Sequence, residues 1–427
     1  MSRPHAGWLV LGLAAGAIAC QSAGTSDGAG GVGSGGTPSG SGGVASGVGG
    51  SGAGGATPGS GAGGNGTGGA AGSGGGKSGT GGAGTATGGA GGATSGTGSI
   101  SLASSWPTAA ILTGVRDVVT PRATQTVQVR NDGTGPVTIT AVALAGTNAS
   151  AFRLTGITVP ASLAARASMP LTVELLTSGT VLPPAPAQNS GGTLLTATIN
   201  VTSSAGSAQS SVYGLVLTTA THEVTLGQIL ITLGVKLNVG LAQNNANPNT
   251  GTVQQLPKVE AGTDELAAPL FRKAGSGNVT MSAVARFSPK GPMPFGWYPA
   301  GAPATRNMVA TMTSMPDAQT SDKARLVLPP LSGSTAFDPG SGTFGVWVYT
   351  DQLSQLYDTG GTASNGDYAY SEDAPNSPAN VHRMKVYPLK DAVGNVVAGS
   401  YLIAVEEAGN GDYQDYVFIL SNVQPAT

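Results

Sequence analysis

The sequence predicts a mainly β protein. A disordered Gly-rich N-terminal stretch leads into two antiparallel β-sandwiches, the second larger and carrying one or two short helices. Three observations carry that expectation. Of the 427 residues, 71 are Gly, and most of these precede residue 99. Beyond that point, apolar and polar residues alternate in short runs broken by turn residues, without a long helical period. The only Cys is Cys20, so the folded parts must hold by packing without internal disulfides.

Charge narrows the function classes. The chain is 9% charged with a formal net charge of −2, which gives no global basic field for nucleic acid. Ten of the 21 Asp and Glu residues lie after residue 350.

The first element, residues 1–19, reads "MSRPHAGWLVLGLAAGAIA". Arg3 supplies a short positive region. Trp8 to Ala19 is apolar but too short to span a bilayer. With Cys20 directly after Ala17-Ile18-Ala19, this start resembles a bacterial lipoprotein signal. The resemblance implies cleavage before Cys20, a lipidated Cys20 thiol and a membrane partner through that anchor. An ordinary secretory signal with Cys20 near the cut is the alternative. Gln21, in place of the Asp that retains enteric lipoproteins, points to the outer membrane or cell surface of a Gram-negative bacterium.

Residues 20–99 are nearly all Gly, Ser, Ala and Thr. Such a segment cannot bury enough apolar surface to offset its ordering entropy, and it is expected to be disordered. As a flexible coil it would span roughly 50 Å. "AGSGGGKS" (residues 71–78) has a P-loop flavour. Ala71 stands where the first Gly is required, and no strand or helix flanks it, so it is set aside.

Residues 100–220 are read as the first sandwich. Val127 and Val129 alternate with Gln128 and Arg130, then Asn131-Asp132-Gly133 offers a turn, and Val137, Ile139 and Ala141 resume the alternation. This pattern predicts a hairpin. "VQVRNDGTGPVTITAVALAGTNASAFRLTG" and "TVPASLAARASMPLTVEL" resemble the choice-of-anchor D repeat of bacterial surface proteins, which is related to the ASPM–SPD-2–Hydin domains. The resemblance implies an Ig-like β-sandwich serving as a spacer or interaction module.

Residues 221–427 are read as the second, jelly-roll-like sandwich. Thr225 and Gln228 have capping-box spacing. Leu226, Ile229, Leu230 and Leu233 fall on one helical face, and Gly234 is a fitting stop. A strand is expected at 235–239. "DELAAPLFRKAGSG" is open between a second short helix and an irregular edge. Strands then follow from "NVTMSAVARF" to "DYVFILSNV". "TLGQILITLGVKLNVG", "RFSPKGPMPFGWY", "YSEDAPN" and "EEAGNGDYQDYVFILSNV" resemble a C-terminal module of large secreted myxobacterial and planctomycete proteins. That resemblance speaks to location and architecture.

Two constellations could carry chemistry. Glu372 and Asp373 lie in one loop, while Glu406, Glu407, Asn410, Asp412 and Asp415 lie at another turn. Together they are candidate oxygen ligands for Ca²⁺, although the spacing does not fit an EF-hand. Solvated acids around a Gly409-Asn410-Gly411 turn are the alternative. Phe295, Trp297 and Tyr298 sit between prolines in an expected loop, with Tyr368 and Tyr370 in another. Such rings either stack on sugars or plug the end of the core. Catalysis is not expected. There is no H-E-x-x-H motif, and only His222 and His382 remain beyond the signal. The leading expectation is a non-catalytic binding or adhesion protein of the envelope, with a glycan or an envelope protein as partner. A purely structural spacer is the alternative, and a glycoside-active enzyme the weaker one.

Overall fold

Alternation in the first half produces nine strands among the described residues. They are β1 Ile100–Ala103, β2 Ala109–Val115, β3 Thr124–Asn131, β4 Val137–Ala145, β5 Phe152–Thr155, β6 Ala161–Leu163, β7 Ser168–Leu175, β8 Thr193–Ser203 and β9 Gly206–Leu217. The computed structural model describes residues 96–117, 123–184, 192–218, 224–243, 259–289, 291–313, 323–350, 367–376, 381–407 and 411–426. The expected signal segment (residues 1–19), Cys20, nearly all of the Gly-rich stretch, His222 and Asn410 lie outside them.

The nine strands form two sheets, ordered β1-β3-β7-β5 and β2-β9-β8-β4-β6. All pairs are antiparallel except β2 with β9. Val127, Val129, Val137, Ile139, Leu171, Val173, Ile199 and Val201 are buried in one core cluster. This is a two-sheet sandwich, as expected. The expected hairpin is not formed, because β3 and β4 belong to different sheets. The reason is Asn131, which is 1% exposed. Its Nδ2 donates to the carbonyls of Gly135, Leu163 and Ala164, and its Oδ1 accepts from Gly133 N. A buried amide satisfied on all sides turns the corner into an arch across the sandwich.

The second half begins with α1, Leu226–Leu233. Its capping box is complete: Gln228 N donates to Thr225 Oγ1 at 3.1 Å, and Thr225 N donates to Gln228 Oε1 at 3.0 Å. Gly234 ends the helix with φ +64°, a left-handed conformation that Gly takes without steric cost. The strand expected at 235–239 is absent. "DELAAPLFRKAGSG" is an irregular edge that ends in β10.

Among the described residues, thirteen strands follow. They are β10 Phe271–Lys273, β11 Val279–Pro289, β12 Met293–Pro299, β13 Asn307–Met312, β14 Lys323–Val327, β15 Leu331–Gly333, β16 Ala336–Phe337, β17 Phe344–Thr350, β18 Asp367–Tyr370, β19 Met384–Lys390, β20 Val396–Val405, β21 Tyr416–Ser421 and β22 Val423–Pro425. One sheet runs β15-β13-β12-β17-β10-β22, with β18 also on β17. The other runs β14-β11-β21-β20-β19, with β16 also on β11. Between them lies a core that includes Phe271, Met281, Phe295, Val346, Ile403 and Phe418.

"PMPFGWYP" is therefore a strand, where a loop was expected. Its prolines sit where only one neighbour pairs. Pro294 faces Thr311 of β13, before the β17 pairing begins at Phe295, and Pro299 faces Phe344 of β17, after the β13 pairing ends at Trp297. A missing N–H is tolerated at such ends.

A third apolar cluster joins the halves. It unites Ile111 and Val115 of β2, Leu215 and Leu217 of β9, the buried face of α1, and Phe287, Tyr387, Leu402 and Val417 of the second sandwich. The β11–β21–β20–β19 sheet is thus covered on both faces.

Candidate functional site

β20 and β21 pair from Ser400↔Ser421 to Val405↔Tyr416, and the acids sit in the connection between them. They are not solvated. Glu406, Glu407, Asp412 and Asp415 are each at most 3% exposed. Buried carboxylates require hydrogen bonds, and these are present, with two buried arginines close by. Glu406 Oε2 accepts from the N–H groups of Asp412 at 2.9 Å and Tyr413 at 3.2 Å. Asp415 Oδ2 accepts from Glu407 N at 2.7 Å. Glu407 Oε2 accepts from the Tyr416 hydroxyl at 2.8 Å. Arg383, fully buried, donates from Nη1 to the Glu407 carbonyl at 3.1 Å. Arg286, also fully buried, lies beside Tyr416 in register and donates to Ser288 Oγ.

Glu406, Asp412 and Asp415 each place a carboxylate oxygen within 4.8 Å of the others. Among the described residues, Glu372, Asp373 and Glu407 do not belong to that group. Asp373 joins a neighbouring ionic chain instead. His382 is held between two carboxylates, with Nδ1 2.9 Å from Asp373 Oδ1 and Nε2 2.8 Å from Glu265 Oε1. Lys385 Nζ donates to Glu265 Oε2 at 2.6 Å and lies 5.0 Å from the centroid of the Tyr413 ring. The Tyr413 hydroxyl donates to the His382 carbonyl at 2.7 Å, which links this chain to the acidic turn.

Burial alone would depress the His382 pKa. Hydrogen bonds to Asp373 and Glu265 outweigh it and raise the value to about 9. Burial also pushes the Glu265 carboxyl up, but His382 and Lys385 outweigh that and hold it below its ordinary value. His382, Asp373 and Ser371 line one cavity of about 260 Å³, walled mainly by Leu266, Pro269, Met384 and Val386. The three residue types invite a triad reading, and the hydrogen bonds refuse it. Nε2, the nitrogen that would serve Ser371, is taken by Glu265. The ring is an imidazolium at neutral pH and has no lone pair to accept a proton.

The aromatic candidates divide by face. Phe295 is in the inter-sheet core, and Trp297 packs against that core, stacked 5.9 Å from Phe337. Tyr298, Tyr368 and Tyr370 join Trp347 and Tyr349 in a separate cluster on the outer face of the β12–β17 sheet. Gly345 makes room for this cluster, since a Cβ there would lie 2.3 Å from the Tyr298 ring. Tyr298 is fully buried, and burial raises its hydroxyl pKa. Tyr349 and Tyr368 stay half-exposed, their ring centroids 5.3 Å apart at 66°. Arg306 lies over Tyr368, with Cζ 3.9 Å from the ring centroid, and donates to the Tyr370 hydroxyl at 2.7 Å.

Sequence reasoning missed Glu265, Arg286, Arg383 and Lys385 in the ionic network, and Arg306, Trp347 and Tyr349 on the aromatic face. Arg383 and Lys385 alternate with Met384 and Val386, a pattern that reads as a half-exposed strand.

No protein-family model matches the chain, and no curated protein matches it. Among solved structures, a protein of unknown function from Porphyromonas gingivalis W83 is 18% identical over 28% of this chain and 47% of its own, with a TM-score of 0.20. The Vibrio cholerae VesB protease is 16% identical over 28% and 32%, with a TM-score of 0.18. The Escherichia coli chaperone DraB is 12% identical over 64% and 96%, with a TM-score of 0.22. The aligned region thus covers less than half of the first chain and about a third of the second. All three scores lie far below those of chains that share one overall fold.

Proposed function

We propose that this chain is a non-catalytic envelope protein, exported and lipid-anchored through Cys20 at the outer membrane or cell surface, and that its second sandwich binds a glycan. The observation that carries the glycan is the outer aromatic face. Five rings gather where they are not needed to fill the core between the sheets, and Tyr349 and Tyr368 remain half-exposed. Flat apolar ring faces with a polar edge suit the apolar face of a pyranose. Arguing against catalysis, His382 is saturated by carboxylates. The clustered acids, the candidates for glycoside hydrolysis, are at most 3% exposed, out of reach of a polymer.

Ca²⁺ is the structural ion of this reading. Glu406, Asp412 and Asp415 form an all-oxygen set that suits a hard cation. The purely structural spacer remains the competing reading.

A glycan array probed with the full chain separates them. Hits that weaken in Tyr349→Ala and Tyr368→Ala support binding, whereas an empty array leaves the spacer. Trp297 is the wrong control because it packs against the core. A thermal melt of the same sample with EDTA, then with excess Ca²⁺, reads the ion, and an unchanged midpoint removes it.

A further inference from the structure

Arg306 changes what the outer face can hold. Its guanidinium covers one face of Tyr368, so that ring face is not open for stacking. The hydrogen bond to Tyr370 fixes the plane of the group. Arg306 itself is exposed, and among the described residues no carboxylate pairs with it. One of its five N–H donors is committed to Tyr370, which leaves others for a ligand. A guanidinium stacked on an aromatic ring is weakly hydrated and geometrically preset, the state in which it grips a carboxylate with two parallel hydrogen bonds. Beside it, the half-exposed Tyr349 packs edge-on against Tyr368 and offers the remaining apolar surface.

We propose that this face selects an acidic saccharide, with Arg306 binding the carboxylate of a uronic-acid unit while Tyr349 contacts the sugar ring. The proposal rests on the glycan reading above and narrows it. A neutral glycan would leave a preset cation without a partner at the centre of the contact. An acidic peptide would supply the charge but not the flat apolar sugar face that Tyr349 fits. The chain's small negative net charge means that attraction of an acidic polymer must come from this local site and not from a general field.

Affinity electrophoresis of the full chain through gels containing polygalacturonate, pullulan or poly-glutamate tests this at about physiological salt. The expected result is retardation by polygalacturonate on the order of tenfold stronger than by pullulan, matching one charge-assisted bidentate contact. Poly-glutamate should not retard the chain. Arg306→Gln should abolish the preference with an unchanged melting midpoint. Arg306→Lys, which keeps the charge and loses the fork, should retain only part of it. Equal retardation by polygalacturonate and pullulan overturns the acidic selection and leaves the glycan reading standing. Retardation by none of the three, together with an empty array, removes both. Equal retardation by poly-glutamate, or undiminished binding by Arg306→Gln, also overturns the proposal.

Discussion

His382 is the residue whose chemistry has the clearest consequence. Its pKa is about 9 in the folded chain against an ordinary 6.5, so protonation favours the folded state. That contribution is complete below pH 6.5 and is lost as the pH rises through 9. It amounts to on the order of 3 kcal/mol. The melting midpoint should therefore fall between pH 6.5 and 9. In His382→Gln the fall over that window should vanish, and a slope equal to that of the parent chain would show that another group titrates. The acids of the "EEAGNGDYQDY" segment were legible as a cluster, but their burial was not. The buried arginines near them, Arg286 of β11 and Arg383 just before β19, come from other segments of the chain, and each reads in isolation as an exposed strand residue.

At the scale of elements, local signals were read well and pairing was read less well. The α1 cap follows from Thr225 and Gln228 because both partners lie within one turn. Removing it in Thr225→Ala should cost about 1 kcal/mol in chemical denaturation, with Thr225→Ser restoring most of it. No loss in the alanine variant would mean that packing alone holds the helix. The β3–β4 hairpin failed because alternation of this kind is the same for a hairpin and for an arch. Only the burial of Asn131, satisfied by carbonyls more than 30 residues away, decides between them. β12 was hidden by prolines whose tolerance depends on which neighbour pairs at each end. Tyr298, Tyr368 and Tyr370 were legible as candidates, but Arg306 and Tyr349 were not. Their meeting depends on the register of β17 with β18 and on a contact reaching from residue 306 to residue 370.

At the scale of the molecule, the apolar cluster between the two sandwiches governs cooperativity. Side chains of β2, β9 and α1 complete the cover of the β11–β21–β20–β19 sheet. Opening either sandwich alone would expose that layer to water. Calorimetry of the full chain should therefore give one transition, with calorimetric and van't Hoff enthalpies in agreement. Two resolved transitions would show the sandwiches to be energetically independent.

The chain crosses between the two sheets of the second sandwich at Asn422, which adopts φ +62° between β21 and β22. β21 lies between β11 and β20, and β22 pairs with β10 through Phe271↔Pro425. Both sheets thus receive a strand from residues 416–425. A nascent chain that has reached residue 400 has β17 beside β10 but still lacks β22, the second partner of β10, and β21, the strand that joins β11 to β20. Closure depends on contacts about 150 residues apart, which form slowly. During synthesis the two sheets of this sandwich cannot close until residues 416–425 have emerged.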